Sequence, residues 1–289
     1  MIRVSLIQGH GQRENVRKTL DFIANDIKKG LASRQPVIKP NFVSSTLQLA
    51  SSHADQVRGV LDFLSVFYRD KIIIAEAACY DTMEAYRKFG YLRLRDEYNV
   101  ELMDLNAGPS ETIPITSRDS RKIGVQVSSL LLDKDNYVIS AARMKTHDMV
   151  VVTLAIKNAV MGSIVGSDKK SVHQGVRQTN LNIAGLAKKV WPALAVIDGF
   201  EGMEGDGPTN GDPVLLNLAM AGTDALATDR VACEIMGVDL HSVGYLHFCA
   251  ERGLGEADLG KIKVLGEKVR DCVRPFRLHS QVKEQYAWK

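Results

Sequence analysis

Lysines and histidines recur in this 289-residue chain at spacings that could do chemistry. Lys39 and Asn41 lie in the stretch KPNF, and Lys145, Thr146 and His147 set an ammonium, a hydroxyl and an imidazole on consecutive residues. Lys157 and Asn158 interrupt an otherwise apolar helical run, where a lysine is rarely buried without a partner. Gly162 and Gly166 follow, then Lys169, Lys170 and His173. Lys39, Asn41, Glu76, Lys157, Asn158, Lys169 and Lys170 could together line a cationic pocket for a phosphate or carboxylate group, with helix N-termini and exposed backbone N–H groups helping. The alternative for Lys169 and Lys170 is a solvated loop. Lys145, His147 and His173 are the candidates to move a proton, the histidines because imidazole titrates near neutrality. A lysine close to other cations could have a lowered pKa and serve as a base or Schiff-base nucleophile.

The opposite charge gathers downstream. Asp198, Glu201, Glu204, Asp206 and Asp212 fall within fifteen residues, interleaved with glycines at 199, 202, 205, 207 and 211. Glycine lets backbone approach a ligand closely, and hard cations such as Mg²⁺ take carboxylate oxygens. Asp198, Glu204 and Asp206 are therefore the candidate ligands of a divalent metal. The stretch Glu201–Pro213 reads as a Gly-rich loop, for which a solvated turn and a mobile lid are the other readings.

These residues can meet only if the elements carrying them lie side by side. Short β-branched runs alternate with helical periodicity: strands at Ile2–Ile7, Pro36–Lys39, Lys71–Ala77, Val100–Leu105, Asn136–Ala142, Leu194–Asp198 and Ile262–Gly266, another strand at VLLNLAMAG, and helices between them. Val16, Leu20, Ile23 and Ile27 step by four, three and four, as one helix face would. The expected fold is α/β, a mostly parallel sheet with helices on both faces. Around 110–133 the rhythm breaks into extended pieces without a helix between them, which predicts a small antiparallel insertion. The chain then reads as one α/β domain over 1–289, with a small lobe at 108–135 and a C-terminal tail at 274–289. In such sheets ligands sit beyond the carboxyl ends of the strands, which is where Lys39, Glu76, Lys145 and Asp198 fall in the sequence pattern.

Composition narrows the field. The balance of 37 Lys+Arg against 34 Asp+Glu gives +3, too weak a basic bias for a dedicated nucleic-acid binder. No apolar stretch reaches the roughly 18 residues of a membrane span, and the N-terminus lacks the long apolar region of a signal peptide, so the expected location is cytoplasmic and no membrane partner is expected. Cys79, Cys233, Cys249 and Cys272 are scattered without a CxxC pair, which points to reduced, buried thiols and to no iron–sulfur cluster in this chain. There is no GxGxxG dinucleotide fingerprint, P-loop, GxSxG elbow or HExxH helix.

In combination, KPNF, MKTHDMVVVTLAIKNAVMG, the Lys-rich turn with His173, VIDGFEGMEGDGPTNGDP and AGTDALATDRVACEIMG resemble the bacterial and archaeal family catalogued as domain of unknown function family 362, from about Lys39 to Gly255. The resemblance implies an α/β core and a pocket built from these motifs, but supplies no reaction. Many members carry ferredoxin-type cysteine motifs, which implies redox work for them; this chain departs from that pattern. The leading expectation is an enzyme that binds a small anionic metabolite, with divalent metal assistance as an option. The alternatives are a redox component working with a separate iron–sulfur or flavin partner, and a non-catalytic ligand-binding module. The C-terminal segment could also support a homodimer.

Overall fold

The computed structural model describes all residues, 1–289. Its strands are β1 (Ile2–Gln8), β2 (Gln35–Lys39), β3 (Ile72–Glu76), β4 (Val100–Asp104), β5 (Ser110–Thr116), β6 (Lys122–Ser128), β7 (Asn136–His147), β8 (Val151–Thr153), β9 (Leu194–Asp206), β10 (Asn210–Gly222) and β11 (Ile262–Gly266). Nine of them form one sheet in the order β11-β1-β10-β9-β7-β2-β3-β4, with β8 paired to β7. Along that path every pairing is parallel except those of β10, which runs antiparallel to both β1 and β9. The fold is thus α/β with a mostly parallel sheet. β5 and β6 form a separate antiparallel hairpin within the stretch expected to be extended.

Alternation along the strands splits the apolar residues between two faces. Ile38, Ile74, Ile139 and Val196 point to one core, shared with the helices α1 (Gln12–Phe22), α2 (Ala24–Leu31), α3 (Ala54–Leu64) and α4 (Thr82–Lys88). Shorter turns α5 (Leu94–Glu97) and α6 (Ser129–Leu132) lead into and out of the β4–β6 region. Val37, Val138, Ile197 and Met220 point to the opposite core, covered by α7 (Ala155–Ser163), α8 (Val176–Ala187), α9 (Ala225–Ile235) and α10 (Gly244–Glu251). Burial on both faces explains why these strands read as nearly continuous apolar runs.

Four readings change in detail. The expected first helix breaks at Ile23, whose backbone leaves helical geometry (φ −117°, ψ 21°), although Val16, Leu20, Ile23 and Ile27 are all buried as one face. β7 continues past Ala142 to His147, every residue from Tyr137 onward being buried. The stretch expected as a Gly-rich loop is instead the end of a long hairpin: β9 runs on to Asp206, turns at 207–209 and returns as β10, with Asp206 opposite Asn210 and Met203 opposite Pro213. The segment after Arg274, which follows the short turn α11 (Val269–Cys272) and contains the turn α12 (Val282–Gln285), packs on the chain's own body: Phe276 and Trp288 are buried, and Trp288 Nε1 donates to Ser242 O at 2.9 Å.

The order of strands decides where a site can form. From β2 the chain steps outward through β3 to β4, then returns to the other side of β2 as β7 and steps away again to β9. The reversal falls between β2 and β7. Crossover loops part at such a point and leave a crevice beyond the carboxyl ends of the strands.

Candidate functional site

A cavity of about 260 Å³ opens at that crevice. Its wall includes Asn41 after β2, Glu76 at the end of β3, His147 at the end of β7, Thr153 from β8, Lys157 and Asn158 from α7, and Lys169 and His173 beyond it. Segments more than a hundred residues apart therefore meet here, as the sequence pattern required.

The floor is a saturated polar network. Lys39 Nζ donates to Glu76 Oε2 at 2.7 Å, to Asn158 Oδ1 at 2.8 Å and to Pro40 O at 2.7 Å, so all three ammonium protons are placed. Asn158 Nδ2 donates to Ser140 Oγ at 3.0 Å and to Lys39 O at 3.2 Å, tying β2, β7 and α7 together. Burial draws both Lys39 and Glu76 toward their neutral forms; the ion pair opposes this, and the three acceptors around Nζ favour the ammonium. Gly162 makes room for this arrangement, because a Cβ there would overlap Lys39 Cε.

Helix α7 begins under an unusual cap. No side chain of its own N-terminal residue bonds back; instead buried Asp229 of α9 accepts the backbone N–H groups of Ala155 at 2.9 Å and Ile156 at 3.1 Å. Those are two of the helix's unpaired donors, answered from another element. Burial raises the Asp229 carboxyl to about 7 despite those two bonds. The cap fixes the first turn and hence the next residue, Lys157.

Lys157 is 8% exposed, faces the cavity and has neither an ion-pair nor a hydrogen-bond partner. Burial lowers its ammonium to about 8, against the opposing pull of Asp148. Thr153 lines the same cavity, and its Oγ1 is buried just behind the wall, also without a partner. Two polar groups are thus left unanswered by the protein at one hollow, where buried polar groups ordinarily find partners.

His147 differs from a general base. Its Nδ1 accepts the Met149 N–H at 3.1 Å, which places the ring proton of a neutral imidazole on Nε2. Asp148 Oδ1 stands 3.0 Å from the same nitrogen and favours imidazolium, yet burial and then Lys157 outweigh it and hold His147 at about 3. With Nδ1 engaged, the neutral ring presents Nε2–H as a hydrogen-bond donor, whereas proton transfer was the role expected of His147. His173 stands at the rim with Nδ1 3.0 Å from Lys169 O; burial, then Lys157, lower its pKa. Lys169 Nζ donates to Ala77 O, and burial lowers its pKa too.

Three groups of expected residues fall elsewhere. Lys145 does not touch the cavity: it is fully enclosed, donates to Asn41 Oδ1 at 2.6 Å and to Ala50 O, and burial together with Lys157 and Arg143 lowers its pKa well below the usual value. It positions Asn41 and cannot meet a substrate. Thr146, on the alternate face of β7, turns away to donate to Gly205 O at 2.9 Å. Lys170 is exposed and lies outside the wall, the solvated alternative. Asp198, Glu204 and Asp206 are spread along extended β9, about 25 Å from end to end at the usual strand rise, so they cannot share a cation. Each carboxylate is also engaged: Asp198 with Gln12 Nε2 at 2.6 Å and the Phe200 N–H at 2.9 Å, Glu204 with the Arg277 N–H at 3.1 Å, Asp206 with the Ser280 N–H at 2.8 Å.

The structure adds residues that the pattern did not single out: Thr153, Asp148, Asp229, Pro208 and Cys79. Pro208 reaches the wall from the β9–β10 turn, where Gly207 lies so close to the Thr146 backbone that a side chain would clash. Cys79 also lines the cavity and is exposed, which corrects the expectation that all four thiols are buried; the other three are. Its position three residues past the end of β3 was the available signal.

Fold and site together define an α/β protein with a cation-lined pocket at its topological switch point. Residues 37–234 match the family described as domain of unknown function (DUF362), and the chain belongs to that family. The matched stretch holds Lys39, Lys157 and Asp229 and ends short of the Gly255 boundary read from the motifs. A thylakoid-associated protein of Synechocystis sp. is 28% identical over 155 residues, covering 52% of this chain and 46% of that protein. The chain thus spans about half the length of that curated relative. The crystal structure of a Thermotoga maritima protein is similar in fold, with a TM-score of 0.50 at 13% identity over 79% of this chain and 60% of that one. No helix is long and apolar enough to cross a membrane.

Proposed function

We propose that this chain binds a small anionic metabolite, bearing a phosphate or carboxylate group, in the switch-point cavity, and that it acts on that metabolite as an enzyme. The observation that carries the reading is the Lys157 ammonium: buried, unpaired and facing a hollow. An enclosed cation without a counter-ion is costly, and an anion in the cavity would relieve that cost. Lys169 adds a second cation, His147 Nε2–H adds a neutral partner, and Lys39 is already matched by Glu76. The cavity is somewhat smaller than a typical drug-sized site, which favours a compact ligand.

Thermal shifts with inorganic phosphate, oxalate and a panel of small phosphorylated and carboxylated metabolites test this. The parent is expected to be stabilised by members of one class, with the shift lost in Lys157→Ala and reduced in His147→Ala. If both variants shift like the parent, the assignment is wrong. Binding without turnover of any bound metabolite would favour the non-catalytic module. A cytoplasmic location belongs to the same proposal, and cell fractionation tests it against the thylakoid association named for the Synechocystis relative. The homodimer expected from the C-terminal segment has less support, because Phe276 and Trp288 already pack in the chain's own core; light scattering distinguishes the two.

A further inference from the structure

We infer that the ligand of this pocket carries an aldehyde or ketone carbonyl beside its anionic group, and that Lys157 Nζ attacks that carbonyl to form an imine. The inference rests on the anion-pocket reading above and goes further, since it assigns the lysine a covalent role.

The geometry supplies the argument. Lys39, enclosed beneath the cavity, has three acceptors, and of the two lysines that line it Lys169 has Ala77 O whereas Lys157 has none. Only an amine without such bonds can turn its lone pair to a ligand at no cost in protein hydrogen bonds. The Asp229 cap holds the start of α7 so that the residue following Ile156 is fixed at the cavity wall. Thr153, four residues earlier, lines the same wall, and a small rotation about its Cα–Cβ bond would be needed to turn its unpartnered Oγ1 toward the oxygen that develops on the attacked carbon. His147 Nε2–H is a further donor on the same wall. Lys169 remains as the cation for the ligand's anionic end. Lowering from 10.5 to about 8 makes the free amine roughly 300 times more abundant at pH 7 than in an ordinary lysine.

The step balances without a co-reactant. The nitrogen lone pair adds to the carbonyl carbon, and the C=O π pair moves to oxygen, which takes up a proton released from nitrogen, giving a carbinolamine. A second proton transfer to that oxygen lets it leave as water, and the C=N bond forms. His173, at the rim on the same cavity, is placed to carry protons between these atoms and solvent.

Trapping tests it. The full chain is incubated with glyoxylate, which has an aldehyde beside a carboxylate, and reduced with sodium cyanoborohydride; the modified peptides are then identified by mass spectrometry. The expected result is carboxymethylation concentrated on Lys157 at limiting reagent and suppressed by oxalate, which has the anion without the aldehyde. Lys157→Arg keeps the charge but offers no imine-forming amine, so it is expected to retain the oxalate thermal shift and lose the trapped adduct. Circular dichroism checks that this variant folds. Modification spread over exposed lysines such as Lys170, with Lys157 no more reactive than they are, overturns the inference. An oxalate shift without trapping leaves the anion pocket standing and removes the covalent step. Absence of both removes the two together.

Discussion

Replacing Lys39 with Met removes the cation from the floor of the site while keeping the length of the side chain. Glu76, 2% exposed, then loses its 2.7 Å partner, and Asn158 Oδ1 and Pro40 O lose their donor. Breaking a buried pair from one side typically costs about 3–5 kcal/mol, because the remaining charge is left without compensation. At about 2–4 °C per kcal/mol for a chain of this size, the melting temperature is expected to fall by roughly 6–20 °C. The pH dependence supplies the sharper check. Glu76 already has a raised pKa through burial, opposed chiefly by Lys39, so the variant raises it further. A carboxyl whose folded pKa lies above its unfolded value of 4.5 binds more protons when folded, and its contribution to stability therefore declines as pH rises from that value toward the folded pKa. The variant's deficit is thus expected to shrink as pH falls toward 4.5 and to grow toward neutrality. Adding Glu76→Gln is expected to recover part of the loss and to flatten the pH dependence. Differential scanning calorimetry between pH 4.5 and 8 reads all three quantities. A Lys39→Met variant within 1 kcal/mol of the parent across that range would refute the reasoning, since the ion pair would then be dispensable to the fold.

Three further outcomes follow from the same geometry. Lys157→Met is expected to stabilise the ligand-free protein near pH 7 and abolish anion-induced shifts. The interval between 10.5 and about 8 corresponds to roughly 3 kcal/mol, and since the folded state binds fewer protons there, parent stability rises across that window whereas the variant's does not; melts from pH 7 to 10.5 check the sign. Asp229→Ala leaves the Ala155 and Ile156 N–H groups unanswered, at about 1–3 kcal/mol each, whereas Asp229→Asn is expected to cost less and to remove the decline in stability that the parent shows between about 4 and 7; chemical denaturation at pH 4, 5.5 and 7 separates the two. A thiol reagent is expected to label Cys79 rapidly and the three buried cysteines only on unfolding, and N-ethylmaleimide on Cys79 is expected to block glyoxylate trapping at Lys157; equal labelling rates for all four, read by peptide mapping, would contradict the placement.

What the sequence disclosed and what it hid divide along one physical line. Short, nearly continuous β-branched runs alternating with helical periodicity revealed the parallel strands, and the polar residues at their carboxyl ends revealed the rim: Lys39, Glu76 and Lys157 do converge. Glycine misled at β9, because Gly199, Gly202 and Gly205 are there to admit Leu218, the Met144 carbonyl and Arg277 against the strand rather than to make a loop. The carboxylates between them were consequently read as one cluster, although extension carries them apart. Adjacency misled at Lys145-Thr146-His147 for the converse reason: a strand sends consecutive residues to opposite faces, so three neighbours in sequence acquired three fates, one enclosed, one turned to β9 and one at the cavity. Asp229 was silent altogether, since a carboxylate capping a helix more than seventy residues distant leaves no local pattern. Yet it is that contact which fixes the start of α7 and with it the amine on which the proposed chemistry turns. The chemical types were legible, but which amine stays unpaired is decided by which partners the fold supplies to the others, and only the three-dimensional arrangement distinguishes Lys157 from Lys39 and Lys145.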